Sequence, residues 1–351
     1  ITMNDPRGNA FVYSGGLLDE IHAKTAHGLL RYSERFNILG ILDQKFQGCN
    51  SDEIISNCKI NIPIYKNFDT ACQSLNQNPD FLVIGVAFGG GKLLNNHRQV
   101  VEDALKNGVN VVCGLHEILG EDPNFKILAE QNGAEIFDIR KPKNINELSF
   151  WSGEILSLET PRIAVLGSDC AVGKRTACQF LTNALNQESI KTEVIYTGQT
   201  GFLQGFKHGF ILDSTMNDFV SGELEKAILE CEKESQPDLM LIEGQSSLRN
   251  PSGPCGSELL LSADVQGVIL VHPFDRKYFD NFEEFKCEVP TLIEELELIK
   301  NYGKETLGIC INCNDQNFNS ETIIQQTGIP AINPIYQNLS PIIEKIKNTI
   351  L

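Results

Sequence analysis

The chain is short of positive charge. Its 351 residues carry 29 lysines and arginines against 46 aspartates and glutamates, a net charge of −17. A surface of that sign repels a phosphodiester backbone, so general nucleic-acid binding is excluded and any anionic ligand must be held by local positive sites. Long apolar runs are missing as well, so no membrane-spanning helix and no membrane partner is expected. No secretory leader is expected at the start of the sequence. A paired cysteine framework is absent. The eleven cysteines are an odd number scattered through apolar segments, which fits reduced thiols and a cytoplasmic protein. The one CxxC, Cys310 to Cys313, has no second pair and no histidine cluster beside it, so zinc and redox roles are not expected. The dinucleotide fingerprint GxGxxG is also lacking. Gly15-Gly16 does not supply it, and Asp43 reads first as a polar residue closing a strand, so a nicotinamide cofactor is not expected.

What is present is enough apolar residue for two cores, 41% of a chain too long for one. In the first half, apolar strand-like runs at 9–14, 38–42, 62–65, 81–87, 109–113 and 134–139 alternate with helical spacing at 22–32, 96–107 and from 115 onward. That alternation predicts a parallel doubly wound sheet. Gly89 to Gly91 and the Gly114-Leu115-His116 turn fall past strand ends, where such sheets bind ligands. Lys24, His27 and Arg31 share one face of the first helix, read here as a surface or interdomain face. Residues 140–148 are basic, proline-containing and aperiodic and read as a linker, which places the two domains at 1–150 and 151–351.

The second half opens on the most informative stretch, PRIAVLGSDCAVGKRTACQF at 161–180. A short apolar strand runs into the loop Gly167, Ser168, Asp169, Cys170, Ala171, Val172, Gly173. Lys174 and Thr176 then begin a helix. Strand, glycine loop, lysine and threonine make a P-loop, in which backbone N–H groups and the helix N-terminus face an anion. Lys174 adds a mobile cation, and Thr176 can hold Mg²⁺. Five residues separate the first glycine from the Gly-Lys pair, one more than in the commonest form.

Further strands are expected at 192–196, 239–242, 267–271 and 307–311, with a long helix within 213–234 and a closing helix at 339–351. Glu243, at an apolar strand's end and followed by glycine, is placed for a Mg²⁺-side carboxylate. His272 ends another strand with Arg276 close behind, and Asn312 ends a third.

In these features the second half is similar to the dethiobiotin-synthetase-type branch of P-loop proteins. The likeness rests on the extended loop, Glu243-Gly244, Asn312, and Ile329-Pro330 with Pro334. Arg175, between Lys174 and Thr176, departs from that branch. The whole chain resembles something narrower. KTAHGLLRYS, FLVIGVAFGGGKL, VVCGLHEIL, DIRKP, GSDCAVGKRT, TGQTG, IEGQSSL and VHPFDR occur in that order across residues 9–340. They resemble a bacterial family long filed as a domain of unknown function, which pairs a Rossmann-like domain with a P-loop domain. Some of its members are associated with D-glutamate N-acetyltransferase activity.

The resemblance implies an acetyl-CoA-dependent N-acetyltransferase of D-glutamate or a similar amino acid. An ATP- and Mg²⁺-dependent synthetase or kinase remains the alternative. Under the first reading Lys174, Arg175, Thr176 and the loop amides hold the CoA phosphates. Glu243 or His272 takes the amine proton, and loop N–H groups or Gln199 face the oxyanion. Arg276, Arg249, Arg140 and His116 are candidates for the substrate carboxylates. Cys170 is a small loop residue, with a covalent acetyl-cysteine as the alternative role. A homo-oligomer is expected.

Overall fold

The computed structural model describes residues 6–55, 58, 60–313, 315 and 318–351. The chain forms two compact units, residues 1–142 with 199–205, and residues 143–198 with 206–351. Both are parallel α/β sheets, as the alternating pattern requires.

The first unit carries β1 (Gly8–Tyr13), β2 (Phe36–Leu42), β3 (Ile64–Tyr65), β4 (Phe81–Ile84), β5 (Asn110–Cys113) and β6 (Ile136–Asp138). Their spatial order is 3-2-1-4-5-6, the Rossmann order, with every pair parallel. Helices α1 (Lys24–Arg31), α2 (Ser51–Ile54), α3 (Phe68–Leu75), α4 (Gln99–Lys106) and α5 (Pro123–Asn132) connect them. The helix expected from residue 115 begins instead at Pro123. Asp122 caps it, its Oδ1 accepting from the N–H groups of Asn124 and Phe125, and proline fits the first helical position. Residues before it form a turn because the carboxylate of Asp138 collects the N–H groups of Leu119 and Gly120.

The second unit carries β7 (Arg162–Gly167), β8 (Thr192–Tyr196), β9 (His208–Gly209), β10 (Leu239–Glu243), β11 (Gly267–Pro273), β12 (Thr306–Asn312) and β13 (Ala331–Ile332), in the order 13-12-11-7-10-8-9. The central strands are buried along their whole length, as near-continuous apolar runs in a sheet covered on both faces should be. Alternate side chains of β7 serve the two cores. Ile163 and Val165 pack towards α6 (Lys174–Gln187), against Ala177, Leu181 and Leu185, and Ala164 and Leu166 belong to the opposite core. A short helix, α7 (Gln199–Gln204), follows β8 and belongs to the first unit. The opposite core contains Leu224 and Ile228 of α8 (Asn217–Ser235).

This order positions the site. β7 lies between β10 and β11, so the strand order reverses at its carboxyl end, and a crevice opens there. The register sets Glu243 opposite Val165, Val271 opposite Gly167 and Asn312 opposite Pro273. The strand-end residues singled out in the sequence therefore share one edge of one sheet. No helix among the described residues is long and apolar enough to cross a membrane.

Candidate functional site

The loop between β7 and α6 turns on two left-handed residues, Ala171 at φ +52° and Gly173 at φ +98°. Two further glycines shape a slot for the lysine. A Cβ on Gly167 would stand 2.9 Å from Cδ of Lys174 and 2.7 Å from Val172. A Cβ on Gly244 would stand 3.0 Å from the same Cδ and 2.4 Å from the carbonyl oxygen of Val165. The lysine stem thus runs between two backbones that approach it closely only because both positions lack side chains. Its ammonium is buried. It donates to the carbonyl oxygens of Asp169 at 2.6 Å and Ser246 at 2.7 Å and, among the described residues, to no carboxylate. Burial lowers the Lys174 pKa, with the nearby negative groups Asp169 and Glu243 opposing that shift.

Asp169 is fully buried inside the loop and is its main internal tie. Oδ1 accepts from the Cys170 N–H at 2.6 Å and from Asn250 Nδ2 at 3.0 Å. Oδ2 accepts from Arg276 at 2.6 Å and from the Asp280 N–H at 2.8 Å. Arg276 donates as well to the Cys170 carbonyl at 2.8 Å. The arginine expected to meet a substrate carboxylate is therefore paired with the loop's own aspartate. Cys170 lies near polar atoms, its sulfur 3.6 Å from Ser246 Oγ and 3.7 Å from Asn250 Nδ2.

Glu243 forms the floor. It is buried, and its Oε2 accepts from the Thr197 N–H at 3.1 Å, while Thr197 Oγ1 donates to the Glu243 carbonyl at 2.7 Å. Gln245 donates to the same threonine at 3.1 Å. Burial pushes the Glu243 carboxyl upward, and the positive side chains of Arg175 and Lys174 and the N–H groups of Thr197 and Gly198 pull it back. His272 shares a hydrogen bond of 2.8 Å between Nδ1 and Ser168 Oγ. Burial lowers its pKa to about 4, so the imidazole is neutral near pH 7. Asn312 donates to the Val172 carbonyl at 2.8 Å and holds the loop from the side.

The remaining candidates fall elsewhere. Arg249 pairs with the buried carboxylate of Glu295 at 2.8 Å. Arg140, His116 and Gln199 belong to the first unit. There they gather at the carboxyl end of β5. Arg140 donates to the Gly114 carbonyl, Gly114 leaves room for Gln199, and Gly91 leaves room for His116. Residues 197–201, a single polar turn in the sequence, are thus divided, with Thr197 and Gly198 in the second unit and α7 in the first. Asn250, Asp280 and Ser246 are site residues that the sequence reading did not name. Asn250 stands in the polar turn after Glu243-Gly244, which was a usable signal. Asp280 acts through its backbone N–H, which no side-chain pattern reveals. Ser247 is buried with its hydroxyl unpaired, one residue beyond a carbonyl that holds the lysine.

In the first unit the corresponding glycine turn is closed. Asp43 is fully buried, and its Oδ2 accepts from Ser14 Oγ at 2.7 Å, Gly16 N at 3.0 Å and Leu18 N at 3.2 Å. Oδ1 accepts from Lys45 N at 3.0 Å and Phe46 N at 3.3 Å. Those amides, which would face a pyrophosphate in a dinucleotide site, are engaged by the protein's own carboxylate. A separate cleft of about 340 Å³ runs along α8, lined by Ser149, Phe150, Gly222 and Lys226 among others. It contains none of the P-loop residues.

Two family models match the chain. Residues 44–142 match a domain of unknown function (DUF1611_N) described as Rossmann-like, and residues 149–343 match a domain of unknown function (DUF1611_C) described as a P-loop domain. The chain is 24% identical over 347 residues to a protein named D-glutamate N-acetyltransferase from Pseudoalteromonas sp, covering 95% of this chain and 97% of that one. It is 28% identical over 265 residues to a protein of the same name from Tritonibacter scottomollicae, covering 72% and 77%. Among solved structures, a DUF1611 family protein from Anabaena variabilis superposes with a TM-score of 0.87 at 25% identity, over 97% of this chain and all of that one.

Proposed function

The chain belongs to the DUF1611 family, and on that premise we propose that it is an acetyl-CoA-dependent N-acetyltransferase acting on D-glutamate or a similar amino acid. The activity named for its two relatives supports the reaction class. The observation that carries the reading is the state of Lys174. A buried ammonium whose hydrogen bonds reach only neutral carbonyls is an incomplete arrangement, because burying a charge is costly unless it is paired. An anion entering the loop completes it. CoA offers such anions in its pyrophosphate and 3′-phosphate, and the loop amides and the N-terminus of α6 face the same place.

In this reading the loop grips without cutting. Lys174, Arg175, Thr176 and the loop N–H groups hold phosphate, and the acetyl thioester reacts nearby. Glu243 stays engaged with Thr197 and Gly198 and orients the floor. His272, held neutral and bonded to Ser168, is the group in the crevice able to accept the amine proton. Arg276 and Arg249, candidates for the substrate carboxylate, have their charges met by Asp169 and Glu295.

The P-loop build by itself favours a second reading, an ATP- and Mg²⁺-dependent synthetase or kinase. One assay separates the two. Free CoA thiol is followed colorimetrically with acetyl-CoA and each of a panel of D- and L-amino acids, without nucleotide. Amino-acid-dependent CoA release is the expected result. Formation of ADP from ATP with the same panel, and no CoA release, would replace the first reading with the second.

A further inference from the structure

In a P-loop the residue directly after the lysine is a serine or threonine whose hydroxyl holds Mg²⁺. Here that residue is Arg175, and the threonine comes one position later. One residue along a helix rotates a side chain by about 100°. Thr176 therefore leaves the helix in a different direction from the residue that follows Lys174. The sequence position that carries the metal-binding hydroxyl in the commonest P-loop carries a guanidinium here, close enough to Glu243 to offset its burial.

The carboxylate side does not fit the metal either. Glu243 is the acid at the usual strand end. Its Oε2 already accepts the Thr197 N–H, and Arg175 and Lys174 are the charged groups that offset its burial. The second acid of the loop, Asp169, gives both oxygens to Cys170, Asn250, Arg276 and Asp280. Among the described residues no group of three histidines, cysteines or acids is arranged to hold a metal ion. Mg²⁺ demands near-octahedral oxygen donors and keeps water on those the protein does not supply. The positive charge of Arg175, which acts on Glu243, opposes a second cation beside that carboxylate.

We infer that this P-loop takes its phosphate ligand without a divalent cation, the Arg175 guanidinium supplying the charge that Mg²⁺ supplies in the nucleotide-cleaving members of the fold. A guanidinium suits the task because its planar fork pairs with two phosphate oxygens at once and stays charged at any working pH. It also offers no Lewis-acid site for activating a leaving phosphate, which agrees with a loop that holds a tail and leaves its phosphates intact. The inference rests on the acetyltransferase reading only for the identity of the ligand.

The test is isothermal titration of acetyl-CoA, and separately of ADP, into the full chain, once with EDTA and once with excess MgCl₂. Acetyl-CoA affinity is expected to agree within about threefold between the two buffers. Arg175→Ala is expected to weaken binding in EDTA by about 10- to 100-fold, the range for a lost hydrogen-bonded charge. Arg175→Lys, which keeps the charge and loses the fork, is expected to fall between them and guards against a folding defect in the alanine variant. Wild-type binding that requires Mg²⁺, or an alanine variant that binds like wild type, would overturn the inference. Binding of neither ligand in either buffer would overturn it too, since the loop then holds no phosphate. Metal-independent binding of ADP with none of acetyl-CoA would leave this inference standing and sink the acetyltransferase reading.

Discussion

The two parallel sheets each carry a glycine turn at the carboxyl end of their first strand, and the two turns differ in the charge they bury. After β1, the amides around Gly16 close on the carboxylate of Asp43, which accepts five hydrogen bonds and lies fully buried. After β7, the turn is tied by its own buried Asp169, and it also buries a lysine ammonium that rests on two carbonyls. Both turns use glycine and exposed N–H groups at a switch point. What separates the two is the lysine ammonium that the second turn buries beside its aspartate, where the first is organised on Asp43. Glycine content does not distinguish them, and the added buried cation does.

The comparison is broken most directly at its two charges. Lys174→Met is expected to weaken acetyl-CoA binding by at least about 100-fold. The same change is expected to leave the melting temperature equal or higher, because a buried, unpaired ammonium has been replaced by an apolar chain of similar length. Asp43→Ala is expected to do the reverse. It should destabilise the fold by about 3 kcal/mol in urea unfolding, as several buried N–H groups lose their acceptor, with ligand affinity unchanged. A stable Asp43→Ala variant that binds less acetyl-CoA would erase the contrast. Arg249→Met sharpens it. Removal of the partner of buried Glu295 is expected to cost about 2 kcal/mol of stability, with no change in KM for the amino acid. A raised KM at wild-type stability would return Arg249 to the substrate site.

The smallest effect concerns pH. His272 is neutral in the native state down to about 4, while an unfolded imidazole binds its proton from about 6.5 downward. Between those values the unfolded state holds more protons, so stability rises with pH across the window and the contribution is lost as pH falls through it. His272→Gln, compared with wild type in urea melts at several pH values, is expected to flatten that part of the curve. Equal slopes in the two proteins would show that this histidine does not titrate as its burial implies.

The P-loop was legible because its chemistry is local. Strand, glycines, lysine and threonine lie within one short stretch, and each has a reason to be there. The six-strand Rossmann sheet was legible because long apolar runs alternate with helical spacing. The two-residue strands β9 and β13 were not, since unlike β3, which lies within the apolar run 62–65, neither was marked by a strand-like apolar run. Two arginines show the deeper limit. Arg276 and Arg249 were visible as positive groups near the right strand ends, but Asp169 and Glu295 were equally visible, and only coordinates reveal that these charges meet. Asp43 is the same case in reverse. Its donors are identified by the backbone path of four separate residues, and no spacing rule encodes that path. The start of α5 was a missed signal of another kind, for Asp122-Pro123 is a helix-entry pair that the apolar spacing upstream obscured.

One feature bears on how the molecule is made. The first unit includes residues 199–205, more than fifty positions beyond the rest of it. The amide of Gln204 that donates to the Gly28 carbonyl at 2.7 Å, and the Phe202 carbonyl that accepts from Arg35 at 2.7 Å, do not exist until β7, α6 and β8 have been synthesised. A nascent chain therefore cannot finish its amino-terminal half first, as contiguous domains do during translation. It must hold that half incomplete while the phosphate loop emerges, and a gene cut at the apparent midpoint would yield a leading fragment without its last helix.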